Sequence, residues 1–285
     1  PVRTPKGNLY GDVTVACLGG EHFMLFGSGA MQEAHRRWFE ARLPDSGVAY
    51  QNLSDALHGI ALSGPKSREL LARQVREDIS AKALKFRDIR KTFVGGVPAI
   101  LARLSFSGEL GYEIYVAPQY QLRLAEAIEE AGADLGLRWY GARALMSLRL
   151  EKGWGAWTLD YRPDFTAAES GLDAFIDWTK DFIGKDAALE ERERGPAKKL
   201  VTLVVETKDI DVSNDEAILQ GGKAIGYVSS GGYAHHVGKS VALGYVPADC
   251  AKAGTRVEVE IMGEMYPATT QGEALYDPSG ARMRG

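Results

Sequence analysis

The sequence predicts an α+β region over residues 1 to about 190, followed by an all-β domain to the end. Three observations carry this. Strand-like and helix-like runs interleave throughout the first part. The run from Glu190 to Lys199, with Gly195-Pro196 inside it, has the composition of a linker. From 200 to 276 almost every segment is a short strand set off by Gly-Gly or Pro turns, the pattern of a small β-barrel or sandwich.

Taken in order, residues 9 to 17 are β-branched and partly alternating, which predicts a strand. His22 to Phe26 predicts a second strand, joined through a Gly19-Gly20 turn. Ser28 is placed to cap a helix from Ala30 to Arg42, whose Met31, Ala34, Trp38 and Ala41 form an apolar stripe. Leu57 to Leu62 predicts a short strand, and the turn Ser63-Gly-Pro-Lys-Ser-Arg-Glu feeds a helix over 66 to 75. Ile89 to Val116 is strand-rich, Gln119 to Gly132 is helical, and Gly141 to Glu151 is a further helix ended by Gly153.

Composition narrows the function. Hydrophobic residues make up 45% and charged residues 25%, as in an ordinary globular protein. A net charge of −4 argues against a nucleic-acid binder, and the mixed run Glu190-Glu-Arg-Glu-Arg reads as a solvated helix end. Cys17 and Cys250 belong to no metal-ligand pattern, and two buried, reduced thiols are expected. No run reaches the roughly 18 to 20 apolar residues of a membrane span. The opening Pro-Val-Arg-Thr-Pro-Lys-Gly has no apolar core and no Met, as expected of a piece of a longer chain rather than a signal peptide.

Several residues can carry chemistry. Asp12 sits in Gly7-Asn-Leu-Tyr-Gly-Asp-Val-Thr-Val, and an acid in such a run either faces solvent or is held by donors. Glu109 and Glu113 share a face if the chain between them is extended, and a carboxylate there can accept the paired N–H groups of an aminopyrimidine. The alternative is a hairpin with solvated acids. Trp154 and Trp157 flank a Gly-containing loop, where they either stack on a planar ligand or pack on the core. Arg149 and Glu151 pair with other charges in either case. His235 and His236 are adjacent on a strand and point to opposite faces, so they are poor joint ligands. Gly27-Ser-Gly29 lacks the rest of a phosphate-loop pattern.

These segments, taken together, resemble the glycine-cleavage T-protein (aminomethyltransferase) family. The resemblance is strongest to the branch that forms the C-terminal region of dimethylglycine and sarcosine dehydrogenases. It runs through Gly7-x4-Asp12-Val-Thr-Val, Ser107-Gly-Glu-Leu-Gly-Tyr-Glu113, and Ser147-Leu-Arg-Leu-Glu-Lys-Gly-Trp154 followed by Trp157. It continues through Glu169-Ser-Gly-Leu, Asp181-Phe-Ile-Gly-Lys, Val237-Gly-Lys-Ser-Val-Ala-Leu-Gly-Tyr-Val and Ala274-Leu-Tyr-Asp-Pro.

The resemblance implies a cloverleaf of ferredoxin-like subdomains with a C-terminal barrel, its N-terminal part missing. It divides the chain into the remainder of a folate-binding subdomain (1–52), an α+β folate-binding subdomain (53–190) and a C-terminal β-barrel domain (197–285). By position, Asp12 is the catalytic carboxylate and Glu113 grips the pterin, with both expected on one cavity. Phe106, Tyr112, Ser28, Trp154 and Arg149 complete the cofactor-binding set. Phe106 stands where the family has Tyr, Ser28 where the T-protein has Asn, and Leu145 where it has Arg.

The implied activity is tetrahydrofolate-dependent one-carbon transfer giving 5,10-methylenetetrahydrofolate, with FAD confined to an upstream or associated domain and no nucleic-acid or membrane partner. The implied compartment is the cytoplasm, or the mitochondrial matrix in a eukaryote. A non-catalytic folate-binding or scaffold module is the alternative.

Overall fold

The computed structural model describes residues 1–285. In chain order the elements are β1 (Val2–Arg3), β2 (Leu9–Gly11), β3 (Thr14–Gly19), β4 (His22–Phe26), α1 (Gln32–Glu40), β5 (His58–Ser63), α2 (Ser67–Ala72), β6 (Ile89–Val94), β7 (Val97–Ala102), β8 (Gly111–Val116), α3 (Gln121–Gly132) and α4 (Ala142–Glu151). They continue with α5 (Lys185–Arg194), β9 (Lys198–Val205), β10 (Ala217–Gln220), β11 (Lys223–Ala234), β12 (Lys239–Pro247), β13 (Arg256–Ile261), β14 (Glu264–Gln271) and α6 (Ala281–Arg284). The chain divides into two compact units, Pro1–Val13 with Met146–Pro278, and Thr14–Leu145 with Ser279–Gly285.

The second unit is built on an antiparallel sheet in the order β5-β8-β7-β6. Alternation along β8 turns Tyr112, Ile114 and Val116 into the core and leaves Glu113 and Tyr115 on the other face. Leu124, Ile128 and Ala131 of α3 and Leu70 and Leu71 of α2 close that core. Arg103 is buried and donates to the Leu84 carbonyl at 2.8 Å and to the Gly285 carbonyl at 2.6 Å, which ties the segment of α6 to β7. Strands β3 and β4 form a separate hairpin around Gly19-Gly20, both with positive φ.

In the first unit, β10-β11-β12-β9-β14-β13 closes into a six-stranded barrel, the barrel alternative of the sequence reading. Closure leaves no open edge. Its interior is filled by Leu203, Ile218, Val228, Ala242, Val259 and Ala268, all fully buried. Gly226 and Gly244 allow the close strand crossing: a Cβ on Gly226 would lie 1.9 Å from the Tyr245 carbonyl oxygen.

The structure corrects several sequence expectations. The strand over 9 to 17 is broken at Asp12-Val13 into β2 and β3, because β2 pairs with β1 while β3 pairs with β4. The first half of the expected linker is the end of α5 and its last two residues begin β9, so only Gly195 to Ala197 connects the two. Gly195 at φ 82° ends that helix. The run Glu190 to Arg194 is helical, as its charge pattern indicates, yet Glu191 is buried in it. Helix α1 buries only His35, and the Arg42 guanidinium covers the Trp38 ring at 3.2 Å. Ser28 precedes the first helical turn but makes no side-chain cap hydrogen bond. Cys17 is exposed and Cys250 half-buried, so the thiols are free but not core residues.

Candidate functional site

Asp12 lies at the step between β2 and β3, half-buried. Its strand is fixed three residues earlier, where the Leu9 N–H donates to the Phe165 carbonyl at 2.8 Å and Asn8 bridges to Thr166. Leu9 is fully buried with Ala167 and Leu172, against Trp157 and Tyr161. Burial pushes the Asp12 carboxyl up, with the Pro1 amino group pulling the other way. The Tyr161 hydroxyl is pushed up by burial first and by the Asp12 charge second.

The segment that carries Trp154, Trp157 and Tyr161 leaves α4 at Gly153, whose φ of 67° turns the chain out of the helix. It is held by a buried charge network. The Arg149 guanidinium pairs with Asp160 at 2.5 Å, with both side chains at or below 1% exposure. The same guanidinium donates to the Trp154 carbonyl at 2.9 Å and to Ser230 Oγ at 2.6 Å. Asp160 also accepts from Ser229 Oγ at 2.5 Å, Ser230 Oγ at 3.0 Å and the Ala156 N–H at 2.8 Å. The Tyr245 hydroxyl donates to the Asp160 carbonyl at 2.8 Å, and the Tyr245 ring stacks on Phe165 at 3.4 Å. Two serines of β11 and a tyrosine of β12 therefore anchor the aromatic loop. Gly155 admits the Tyr161 ring, whose atoms lie 2.5 Å from where a Cβ would stand.

The second unit holds the other acid. Glu113 stands half-buried opposite Ala61 of β5 and Ala102 of β7, small residues that leave its carboxylate uncovered by larger side chains from those registers. Its Oε2 accepts a short hydrogen bond from the Tyr115 hydroxyl. Burial, then the Glu113 charge, pushes both the Tyr115 and Tyr140 hydroxyls up. Tyr115 lies across Gly59, with ring atoms 3.0 Å from the position of a Cβ there, and meets Phe26 at 4.7 Å between centroids. Phe26 ends the strand two residues before the half-buried Ser28. Phe106 is half-buried in the turn before β8.

Two of the residues selected from sequence are interior. Tyr112 is 1% exposed, and its hydroxyl accepts from Arg68 Nε at 3.1 Å within the second unit's core. Arg149 spends its terminal nitrogens on Trp154, Asp160 and Ser230. At both positions the polar atoms are engaged by protein neighbours. Glu109 and Glu113 do not lie on one extended strand: Glu109 belongs to the turn before β8 and pairs with Arg282 at 3.3 Å. Asp160, Ser229, Ser230, Tyr161 and Tyr115 were not singled out from sequence. Asp160 was the most legible of them, an acid among apolar and aromatic neighbours eleven residues after Arg149.

Residues 1–180 match the GCVT N-terminal domain, and residues 198–277 match the glycine cleavage T-protein C-terminal barrel domain. The chain belongs to the glycine-cleavage T-protein (aminomethyltransferase) family. It is 30% identical over 281 residues to an aminomethyltransferase of Desulfitobacterium hafniense (strain Y51), covering 98% of this chain and 76% of that protein. It is 36% identical over 287 residues to the mitochondrial dimethylglycine dehydrogenase of Homo sapiens, covering 99% of this chain and 33% of that one. The chain thus spans about a third of the length of the dimethylglycine dehydrogenases it matches. In three dimensions it is similar to the glycine cleavage system aminomethyltransferase T from Bartonella henselae, with a TM-score of 0.83 and 25% identity over 96% of this chain and 74% of the other.

Proposed function

We propose that this chain binds tetrahydrofolate and transfers a one-carbon unit to it, giving 5,10-methylenetetrahydrofolate, as the folate-dependent part of a flavin-dependent N-methyl amine dehydrogenase or oxidase. A flavin domain, covalently linked or associated, oxidises the amine and supplies the carbon at the formaldehyde level. The setting is the cytoplasm, or the mitochondrial matrix in a eukaryote. No helix is long and apolar enough to cross a membrane.

The residues fit the cofactor in kind. Glu113 has one carboxylate oxygen accepting from Tyr115 and stands on a face shared with aromatic rings, an acceptor suited to the N–H edge of a pterin. Tyr115 fixes the carboxylate orientation, Phe106 and Ser28 complete the contacts from the second unit, and Tyr112 supports the strand from below. In the first unit Trp154 offers a ring, and Arg149 positions it through the Trp154 carbonyl. When bound, tetrahydrofolate supplies two nucleophilic amines that take up the carbon. Asp12 accepts a proton released from nitrogen as an N–C bond forms, and stabilises positive charge on the incoming carbon–nitrogen unit.

The observation that carries this reading is the place of Asp12, half-buried at the step between β2 and β3 next to the strand that packs on Trp157 and Tyr161, in a chain of this family. Titration calorimetry with tetrahydrofolate, and the protein-dependent rate of methylenetetrahydrofolate formation above the uncatalysed condensation, test it. Asp12→Asn is expected to lose about 100- to 10,000-fold in that rate with folate affinity retained. Full activity in that variant removes Asp12 from the mechanism. Folate binding with no protein-dependent rate in the parent chain favours a scaffold role.

A further inference from the structure

Outside the residues discussed above, the first unit contains a cavity of about 270 Å³ between α5, the start of the barrel and the segment 168–178. This is just below the range of about 300–1,000 Å³ typical of sites for drug-sized ligands, so its occupant is small. Two oppositely charged side chains on its wall are more than nine-tenths buried, Arg3 at 7% exposure and Glu191 at 6%.

The two form no direct ion pair, although each lies within electrostatic reach of the other. The Arg3 guanidinium lies over the Phe182 ring at 4.3 Å, and its N–H donors meet no carboxylate. Glu191 accepts the Thr166 hydroxyl at 2.7 Å through one oxygen, leaving the second without a protein donor. Glu169 directs an oxygen to the Thr166 N–H at 3.1 Å instead of to Arg3. A ligand that gives each charge a direct partner offsets part of the cost of burying it. Burial raises the Glu191 carboxyl and lowers the Arg3 guanidinium, the directions that a bound counter-charge reverses. The rest of the wall mixes apolar Ile176 and Leu200 and the Trp178 ring, which Arg192 covers at 4.7 Å, with the charged Glu169, Asp173 and Lys199.

We propose that this cavity binds a compact zwitterion of the amino-acid type, its carboxylate taken by Arg3 and its protonated amine by Glu191. The site is separate from Asp12 and Glu113 and does not depend on the folate reading.

The test is a ¹H–¹⁵N NMR titration of the full chain with three probes: glycine for the zwitterion, acetate for the anion alone and methylammonium for the cation alone. Glycine is expected to shift the Trp178 indole N–H and the Arg3 Nε–H. Acetate and methylammonium are each expected to bind about tenfold or more weakly than glycine. Arg3→Gln and Glu191→Gln should each weaken glycine by a similar factor, with acetate affinity in Glu191→Gln unchanged. Acetate binding as tightly as glycine would overturn the zwitterion in favour of a plain anion site. No glycine-dependent shift at Trp178 in the parent chain overturns the site altogether, so the question is settled even if a variant does not fold. Arg3→Lys, which keeps the charge and loses the planar fork, is expected to fall between parent and Arg3→Gln.

Discussion

In the first unit the loop from Gly153 to Tyr161 has almost no regular backbone ladder, and it is fixed by one buried ion pair with its surrounding hydroxyls. In the second unit Glu113 is fixed by the sheet itself, with β5 and β7 in register on either side and one tyrosine hydroxyl orienting the carboxylate. The loop places its aromatic rings through a few costly interactions, and the strand places its acid through many cheap ones. Damage should therefore separate. In the loop, stability and activity fall together; on the strand, activity falls alone.

The largest expected effect is at Asp160. Asp160→Ala leaves the Arg149 charge buried without its partner and strands Ser229, Ser230 and the Ala156 N–H. Breaking a buried pair from one side costs about 3–5 kcal/mol. Urea denaturation should show that loss as a lower midpoint with an unchanged slope. A loss below about 1 kcal/mol, the value of an exposed pair, would mean that the network does not hold the loop.

Glu113→Gln sharpens the other side of the comparison. The half-buried side chain carries no core packing, so the urea midpoint should hold while folate affinity drops by about 1.5–3 kcal/mol, the worth of a hydrogen bond to a charged group. Tyr115→Phe should weaken folate less, because it removes only the group that orients the carboxylate. Equal losses of stability at Asp160 and Glu113 would erase the distinction between loop and strand.

That distinction also explains what could be read from the sequence. β4 was legible to the residue, and the outline of the barrel to within a few, because alternation and Gly-rich turns act locally. The strand that carries Glu113 was legible for the same reason, with Tyr112, Ile114 and Val116 alternating with Glu113 and Tyr115. The loop network was not, because Asp160 finds Ser229 and Ser230 some seventy residues away and no local pattern encodes that meeting. The break at Asp12-Val13 escaped because Val and Thr favour extended backbone on both sides of it, and only strand partners decide where one strand stops. The helical character of Glu190 to Arg194 was legible from charge pattern, but the burial of Glu191 depends on Thr166, which lies beyond local reach.

Gly155→Ala probes the loop without touching a charge. The added methyl meets the Tyr161 ring at 2.5 Å, so the ring or the loop must shift. Overpacking of this kind costs about 1–3 kcal/mol. The double variant Gly155→Ala with Tyr161→Ala should be more stable than the two separate losses added together, because truncating the ring removes the clash. Simple additivity, measured by the four urea midpoints, would place the cost of Gly155→Ala in the backbone and not in the ring contact.

The smallest effect is the pH dependence contributed by Asp12. Its folded carboxyl is raised by burial above its unfolded value, so between those two values the folded state holds more proton than the unfolded one. Stability then falls as pH rises through that interval, opposite to the slope of a carboxylate held by a salt bridge. The contribution is fully present below the unfolded value and lost above the folded one. Asp12→Asn has no such proton to release. The difference in stability between variant and parent should therefore grow in favour of the variant from acidic pH to neutrality and then level off. Growth in the other direction would mean that a buried donor stabilises the Asp12 anion. The acid would then act as an electrostatic partner for a cationic substrate, and proton abstraction would have to come from another group.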